Sequence, residues 1–351
     1  MPLDPCPRTL YHIFIMNFKT IFTFFLGIVI VITVLLSYDF YKTITTPLSS
    51  ETSQVVIEVK KGGGLNNISS LLHQKGLIKD PQTFKLLALI KGAVLNLKAG
   101  EYRLSPAMTQ VEILNKITRG LVIQHSVTIP EGYNIYEIAD LLQKNNLTKK
   151  DTFIASVFDP KIINELGFNT NSLEGYLFPE TYFFEKNVSD HHILKKMVAT
   201  FKKKIMTHEI MAAVKESKLS FHKIVILASV IEKETGKEEE RPLVSAVFHN
   251  RLRKKMLLQS DPTVIYSIRN FDGNLRKKDL QIDSPYNTYR YAGLPPGPIA
   301  NPGLSSIKTA LHPAKVDYLY FVSKKNGEHK FSSTLKEHNS AVFKYQKRRR
   351  P

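Results

Sequence analysis

Cysteine is almost absent from this chain of 351 residues, in which Cys6 is the only one. A single cysteine excludes a disulfide within the chain and a metal site built on several thiolates. No cluster of His, Asp and Glu has the spacing of metal ligands, and no Ser, His and Asp stand out as a catalytic triad. We therefore expect chemistry that uses neither a metal ion nor another cofactor.

Charged residues are missing altogether from Thr20 to Tyr38, where most positions are Ile, Phe, Val or Leu. A helix of this length crosses about 30 Å of hydrocarbon. A cleaved signal peptide is the alternative, but bulky residues follow the run where cleavage needs small ones. Arg8 and Lys19 precede the run, which favours a cytoplasmic segment at 1–19. We predict a single-pass protein of the plasma (inner) membrane, with everything after the helix on the periplasmic or extracytoplasmic side.

Acidic residues are scarce relative to basic ones. The chain has 31 Asp and Glu against 49 Lys and Arg, a net charge of +18. Such a surplus usually indicates a nucleic-acid partner. An exported domain does not meet nucleic acid, so anionic lipid head groups or an anionic cell-wall polymer are the better candidates. Most lysines are dispersed, apart from Lys202–Lys204 and a basic tail at 346–351, and we expect them to be solvated surface.

An imperfect repeat follows a polar segment at 39–54 that is typical of a linker. Each copy reads as a short strand, a turn that contains Gly62 or Gly132, an amphipathic helix and a second helix. Small strand and helix modules of this kind are typical of binding domains. We therefore predict a binding region at 55–160.

The remainder, 161–345, is predicted to be one mixed α+β domain, so the fold class of the whole exported part is α+β. A long span from Ser284 to Pro302 is rich in Pro and Gly and has too few periodic residues for a helix. Long ordered loops in a compact domain are usually functional. The predicted helices and strands are Ile193–Ile205, Phe221–Thr235, Arg241–Lys254, Tyr182–Phe184 and Tyr318–Val322.

An apolar run from Ile224 to Ile231 ends abruptly at Glu232 and Glu234. At 3.6 residues per turn, Glu234 shares the stripe of Leu227 and Val230, whereas Glu232 lies nearer the polar face. An acid at the end of an apolar helix face is partly desolvated, which raises its pKa, and a protonated Glu is what glycosidic bond cleavage needs. The alternative is that both are solvated residues in the last turn of a core helix.

Further segments follow this run in a fixed order. With them, the chain resembles the MltG (YceG-like) family of membrane-anchored endolytic murein transglycosylases over nearly its whole length from the anchor onward. The region at 55–160 likewise resembles the LysM-like portion of that family. The segments that carry the resemblance are Glu174–Tyr182, Ala228–Thr235, Glu240–Arg241, Val247–Leu252, Leu258–Val264, Tyr286–Tyr289, Gly293–Ile299, Asn301–Gly303, Ala310–Pro313 and Tyr318–Phe321.

The resemblance implies a specific reaction. Such enzymes cut peptidoglycan glycan strands between N-acetylmuramic acid and N-acetylglucosamine and leave 1,6-anhydro-N-acetylmuramic acid ends. They are thought to terminate nascent strands, which would place peptidoglycan synthases among the partners. The catalytic glutamate of the family maps onto Glu234, with Glu232 as its support. One carboxyl suffices, because it can donate a proton to the leaving oxygen and then deprotonate the attacking 6-hydroxyl of the same sugar.

Five more residues are candidates for the substrate groove. Gln and Thr side chains can hydrogen-bond sugar hydroxyls and acetamido groups. The sequence from Asp261 to Thr263 is equally a helix N-cap with proline in the first turn. Turn chemistry for Asn287 and packing for Tyr289 are the other open alternatives. The five are Gln259, Asp261, Thr263, Asn287 and Tyr289.

A second function stays open at this point. The chain could be a catalytically silent, membrane-anchored protein whose repeat region binds peptidoglycan. Nucleic-acid binding rests on charge alone and is not expected.

Overall fold

The computed structural model describes residues 7–268 and 270–347 of the chain. Parts of the predicted N-terminal segment 1–19 and of the basic tail 346–351 therefore lie outside the described residues. The described residues form α-helices and three pairs of short antiparallel strands, and the predicted mixed α+β class is confirmed.

Two compact units divide the chain, Met1–Gln124 and His125–Pro351. The predicted binding region 55–160 crosses this boundary. Its second repeat copy belongs to the second unit, because the strand that opens the copy, His125–Thr128, pairs with a strand at Thr181–Phe184, beyond the predicted end of the region. The pairing of these two strands places the second repeat copy in the second unit, and the spacing of residues in the sequence does not reveal that pairing.

Helix α1 runs from Pro7 to Thr45. Its portion Thr20–Thr45 is long and apolar enough to cross a membrane, as predicted, and the most apolar stretch within it is not buried by the rest of the protein. The helix continues into the segment 39–54, which was predicted to be a linker. The reason is packing, since Phe40 and Ile44, one helical turn apart, join the core of the first unit.

After α1, the first unit has a strand, two helices, a second strand and a further helix. Strands β1 and β2 are antiparallel, with Ile57 opposite Tyr102, and both side chains are buried. The last helix begins with a capping box in which Thr109 and Glu112 exchange hydrogen bonds. The elements are β1 (Val55–Val59), α2 (Leu65–Gln74), α3 (Pro81–Ile90), β2 (Gly100–Leu104) and α4 (Gln110–Arg119).

The second unit opens with a similar order of elements, but three helices instead of two stand between its paired strands. Strands β3 and β4 are antiparallel, with Val127 opposite Tyr182, and the helices between them bury one apolar core. A second capping box, between Asn134 and Glu137, starts the first of these helices. The elements are β3 (His125–Thr128), α5 (Ile135–Lys144), α6 (Lys150–Val157), α7 (Pro160–Glu165), β4 (Thr181–Phe184) and α8 (Asp190–Ile205).

A second apolar core surrounds helix α10 (Phe221–Glu234), in which every residue from Ile224 to Ile231 is buried. It packs against α11 (Arg241–Arg253), α12 (Asp261–Tyr266) and α13 (Leu304–Leu311). The predicted helices here are confirmed to within one residue at each end. The other elements are α9 (His208–Glu216), β5 (Tyr320–Ser323), β6 (His329–Ser332), α14 (Leu335–Val342) and a final π-helical turn (Phe343–Lys347).

The long span between α12 and α13 is irregular, as predicted for Ser284 to Pro302, and its only helical piece among the described residues is the short turn Asp279–Gln281. It is nevertheless packed. The backbone N–H of Ile299 donates to the Ser229 hydroxyl at 3.0 Å, in the middle of α10. A loop fixed in this way brings its residues to the carboxyl end of α10.

Candidate active site

Glu234 is the last residue of α10, because Thr235 leaves the helix in an extended conformation. Burial raises the pKa of the Glu234 carboxyl to about 7. The Ser260 hydroxyl opposes this rise, the negative charge of Asp261 adds to it, and the Arg251 guanidinium opposes it. Part of the residue remains accessible to solvent. A carboxyl with this pKa can both donate and accept a proton near neutral pH.

Ser260 holds that carboxyl in place. Its hydroxyl donates a hydrogen bond to Oε1 of Glu234. Ser260 is itself fixed, since its backbone N–H donates to the Thr288 hydroxyl at 3.0 Å and its carbonyl accepts from the Thr263 hydroxyl at 2.6 Å. Sequence reasoning missed Ser260. The available signal was its place directly before the Asp-Pro-Thr string.

Glu232 is not on a polar face, so that part of the prediction was wrong. Its side chain is 4% exposed, and Oε1 accepts from Nη2 of Arg241 at 2.9 Å. Oε2 accepts from the backbone N–H of Gly303 at 2.9 Å. The loop before α13 and the start of α11 cover this side of the helix, which no helical wheel could indicate. Glu232 thus joins three segments at the end of α10.

Three of the predicted groove residues lie at the surface beside Glu234. Gln259 and Asp261 are exposed and Tyr289 is half-buried. The Tyr289 hydroxyl donates to Oδ1 of Asp261 at 2.5 Å, and burial together with that carboxylate raises the pKa of the Tyr289 phenol. These polar groups are therefore available to hydrogen-bond a ligand that reaches Glu234.

The other two predicted groove residues, Thr263 and Asn287, are fully buried, so the expectation that they line a groove was wrong. The amide of Asn287 donates to the carbonyls of Leu280 and Ile282 at 3.0 and 2.8 Å. Both side chains shape the loops instead. The predicted N-cap was also displaced by one residue, because Ser260 and not Asp261 occupies that position.

Arg251 is a second residue that sequence reasoning missed. It is buried in α11, and Nη1 donates to the carbonyl of Leu258 at 2.8 Å while Nε donates to that of Leu319 at 2.7 Å. Next to this clamp, Gln259 adopts a left-handed conformation with φ of 51°, which costs energy for a residue other than glycine. The hydrogen bonds of Arg251 thus fix the backbone just before Gln259 and Ser260.

Glu174 is a third residue that sequence reasoning missed. It is more deeply buried than Glu234. Its carboxylate accepts hydrogen bonds from the Ile135 backbone, the Tyr266 hydroxyl and the Asn301 amide at 3.1, 3.0 and 3.0 Å. These donors favour the ionised form, but burial outweighs them and raises the pKa of Glu174 to about 8. Glu174 joins the start of α5, the end of α12 and the loop before α13.

Among the residues that the structure describes, no group of three or more His, Cys, Asp or Glu is arranged to hold a metal ion. Two carboxylates do share one guanidinium here. Nη2 of Arg241, which contacts Glu232, also lies 3.6 Å from Oε2 of Glu131. Burial and the charge of Glu232 raise the pKa of Glu131. This cluster is balanced by a guanidinium and serves as a junction between loops.

Known proteins resemble the chain along most of its length. A family model described as YceG-like matches residues 57–344. A protein of Bacillus subtilis (strain 168) named endolytic murein transglycosylase is 39% identical over 321 residues, which is 87% of this chain and 88% of that protein. A protein of the same name from Streptococcus pneumoniae (serotype 2) is 28% identical, and the match covers 88% of this chain and 61% of that protein.

A crystal structure of a YceG-like protein from Listeria monocytogenes is also similar. It is 36% identical, with a TM-score of 0.58, over 82% of this chain and 98% of that one. These matches confirm the resemblance that the motifs indicated.

Proposed function

The chain belongs to the YceG-like family, and from this premise we propose that it is an endolytic lytic transglycosylase of peptidoglycan with Glu234 as its acid and base. Relatives that carry the name endolytic murein transglycosylase support the enzyme class. The observation that carries the assignment of the residue is the partly accessible carboxyl of Glu234 at the end of α10, held by the Ser260 hydroxyl, and its pKa of about 7 lies near neutral pH.

The proposed reaction needs only this one carboxyl. Protonated Glu234 donates its proton to the glycosidic oxygen as the bond from that oxygen to C1 of N-acetylmuramic acid breaks. The 6-hydroxyl oxygen of the same sugar then bonds to C1, and its proton passes to the Glu234 carboxylate. Glu234 ends protonated, no water is consumed, and the product carries a 1,6-anhydro ring.

Asp261 has a separate part in this proposal. Positive charge develops at C1 as the bond breaks, and an exposed carboxylate beside Glu234 stabilises it. The hydrogen bond from Tyr289 orients that carboxylate. Asp261 also keeps Glu234 protonated, since its negative charge raises the pKa of its neighbour.

The test is a product assay with the full-length protein in detergent micelles and purified sacculi. Mass spectrometry of the digested glycan should detect 1,6-anhydro ends with the parent protein and none with Glu234→Gln. Glu239→Gln, an exposed glutamate five residues away, is the matched control and should be as active as the parent. Equal product from the parent and Glu234→Gln would overturn the assignment of the acid.

The first unit is proposed to be a LysM-like module that holds the glycan strand. Its order of strand, two helices and antiparallel strand supports this reading. If the alternative of a silent wall-binding protein were correct, folded parent protein would bind sacculi without releasing any anhydro product. Sedimentation with sacculi, run beside the product assay, separates the two functions.

We further propose a single-pass location, with α1 in the plasma (inner) membrane and both units outside the cytoplasm, where the enzyme terminates nascent strands beside the synthases. The continuous helix supports the anchoring, because Ile44 of α1 is already part of the first unit's core. Arg8 and Lys19 before the apolar run support the orientation. A reporter active only outside the cytoplasm, fused after residue 351, should be active. Activity only of a cytoplasmic reporter would contradict the orientation.

A further inference from the structure

Helix α3 in the first unit is apolar on its outer side as well as its inner side. Its inner residues, among them Phe84 and Leu87, are buried in the core. Five residues in the second half of the helix and in the turn after it are large, apolar and exposed, and Leu95 is 96% exposed. A cluster of large apolar side chains of this kind is normally covered. We call this set the α3 face: Leu86, Leu89, Ile90, Val94 and Leu95.

Helices α2 and α4, which contact α3 in the same unit, do not share this property. The outward positions of α2 include Asn66, Asn67 and Ser70, and those of α4 include Glu112 and Asn115, all exposed and polar. The α3 face is therefore a local feature and not a general trait of the unit.

The charges around the α3 face have one sign. The segment from residue 81 to residue 100 contains Lys85, Lys91 and Lys98 and not one Asp or Glu. From Asp39 to Gln124 there are eleven Lys and Arg against six Asp and Glu, a net charge of +5. Apolar residues flanked by lysines are the pattern of segments that insert into the surface of an anionic membrane.

The position of the unit places such a surface within reach. From Tyr38, the last residue of the uncharged run, to Ile44 in the core, the chain stays helical, a rise of only about 9 Å. Helix α1 packs directly against α3 and α4. No flexible linker therefore separates the unit from the bilayer that α1 would cross.

We propose that the α3 face inserts into the anionic lipid surface beside the anchor, so that the first unit rests on the membrane at two points. The inference rests on the proposed membrane anchoring by α1. Leu89, Ile90 and Leu95 enter the boundary between head groups and acyl chains, and Lys85 and Lys91 contact lipid phosphates. The result is a fixed posture of the unit on the bilayer.

The test uses the full chain in nanodiscs that hold one copy and contain phosphatidylglycerol. A fluorophore is attached to Leu95→Cys in a Cys6→Ser background, and nitroxides on the lipid acyl chains act as quenchers. Leu121→Cys, exposed in the same unit but outside the α3 face, is the matched control, and Val31→Cys within α1 reports the anchor. We expect quenching at Leu95 at least about two-fold stronger than at Leu121.

The second part of the test changes the charge of the lipid or of the α3 face. Replacing phosphatidylglycerol by phosphatidylcholine, or Lys91 by Glu, should weaken quenching at Leu95 and leave Val31 unchanged. Unfolding transitions equal to the parent's would establish that the variants fold. Quenching at Leu95 no stronger than at Leu121, with Val31 quenched, would overturn the inference and leave the anchor intact. Loss of quenching at Val31 would overturn both the inference and the proposed anchoring by α1.

Discussion

The hydroxyl of Ser260 donates a hydrogen bond to Oε1 of Glu234, so one oxygen of the proposed catalytic carboxyl is engaged by the protein. In the proposed reaction, the other oxygen, Oε2, therefore carries the proton that is donated. A hydrogen bond to the ionised form lowers a carboxyl pKa, and here it partly offsets the rise caused by burial. Ser260 thus sets both the direction and the acidity of the donor.

Ser260→Ala should shift the pH profile of the reaction. Without the hydroxyl, the ionised form of Glu234 loses a donor and its pKa rises, so the protonated form persists to higher pH. The alkaline limb of kcat/KM should move upward, and kcat should fall about ten-fold because the carboxyl is less well oriented. The assay is anhydro product formation from pH 5 to 9. Ser260→Thr keeps the hydroxyl and should restore the parent profile; an unchanged limb in Ser260→Ala would contradict the role.

Asp261→Asn should move the same limb in the opposite direction. Its negative charge raises the pKa of Glu234, so removing the charge lowers that pKa, and activity is lost at a lower pH. Because Asp261 is exposed, added salt should reduce the difference between the variant and the parent. Profiles measured at low and high salt test this, and a limb that moves upward would refute the assignment.

Arg241→Ala should be strongly destabilising, because it leaves Glu232 as a buried and unpaired carboxylate. The expected loss in the free energy of unfolding is about 3–5 kcal/mol. Lys308→Ala is the control, since it breaks an exposed ion pair with Glu209 and should cost no more than about 1 kcal/mol. Denaturant unfolding of the full chain in micelles gives both values, and equal losses would show that the buried pair is not special.

Stability should decline as the pH rises from about 5 to 9. The pKa of Glu174 is about 8 in the folded protein and that of Glu234 about 7, both above the ordinary value of 4.5. The folded state therefore binds more protons than the unfolded one between these limits, and the stabilisation present below pH 4.5 is lost as pH rises through 7 and 8. The decline should be on the order of a few kcal/mol.

Glu174→Gln should flatten this decline. The variant has no proton to lose at that position, so its stability changes less with pH than that of the parent. At pH 5 it should be less stable by about 1–3 kcal/mol, because an amide N–H would face the donors of Ile135, Tyr266 or Asn301. Glu239→Gln should keep the parent slope. A parent slope in Glu174→Gln would show that another group carries the pH dependence.

Helical periodicity was enough to predict α10 and the place of Glu234 at its apolar end. The information is local there, because apolar spacing and a Ser220 cap decide where the helix runs. The partners of Glu234 were not predictable in this way. Ser260 lies 26 residues away in the chain, and only the folded path of the intervening loop brings its hydroxyl to the carboxyl.

The errors have the same origin. Glu232 faces outward on an isolated helix, but Arg241 and the backbone of Gly303 cover it. Asn287 looked like a groove residue because polar side chains in long loops often bind ligands, and it is used instead to bond the loop's own carbonyls. Whether a polar side chain in a loop bonds the loop's own backbone or faces solvent depends on contacts between residues far apart in the chain. The spacing of residues along the sequence does not reveal those contacts.

Helix α1 runs without a break from its apolar segment into the core of the first unit, so each residue of the helix adds a fixed rise and a fixed rotation. One residue inserted after Tyr38 would lift the unit by about 1.5 Å and turn it by about 100° around the helix axis. Eleven inserted residues, close to three full turns, would restore the original facing at a height about 16 Å greater. With α1 in the bilayer as proposed, the height of the first unit above the lipid surface and its angular facing are set by a count of residues, and an insertion series can vary them separately.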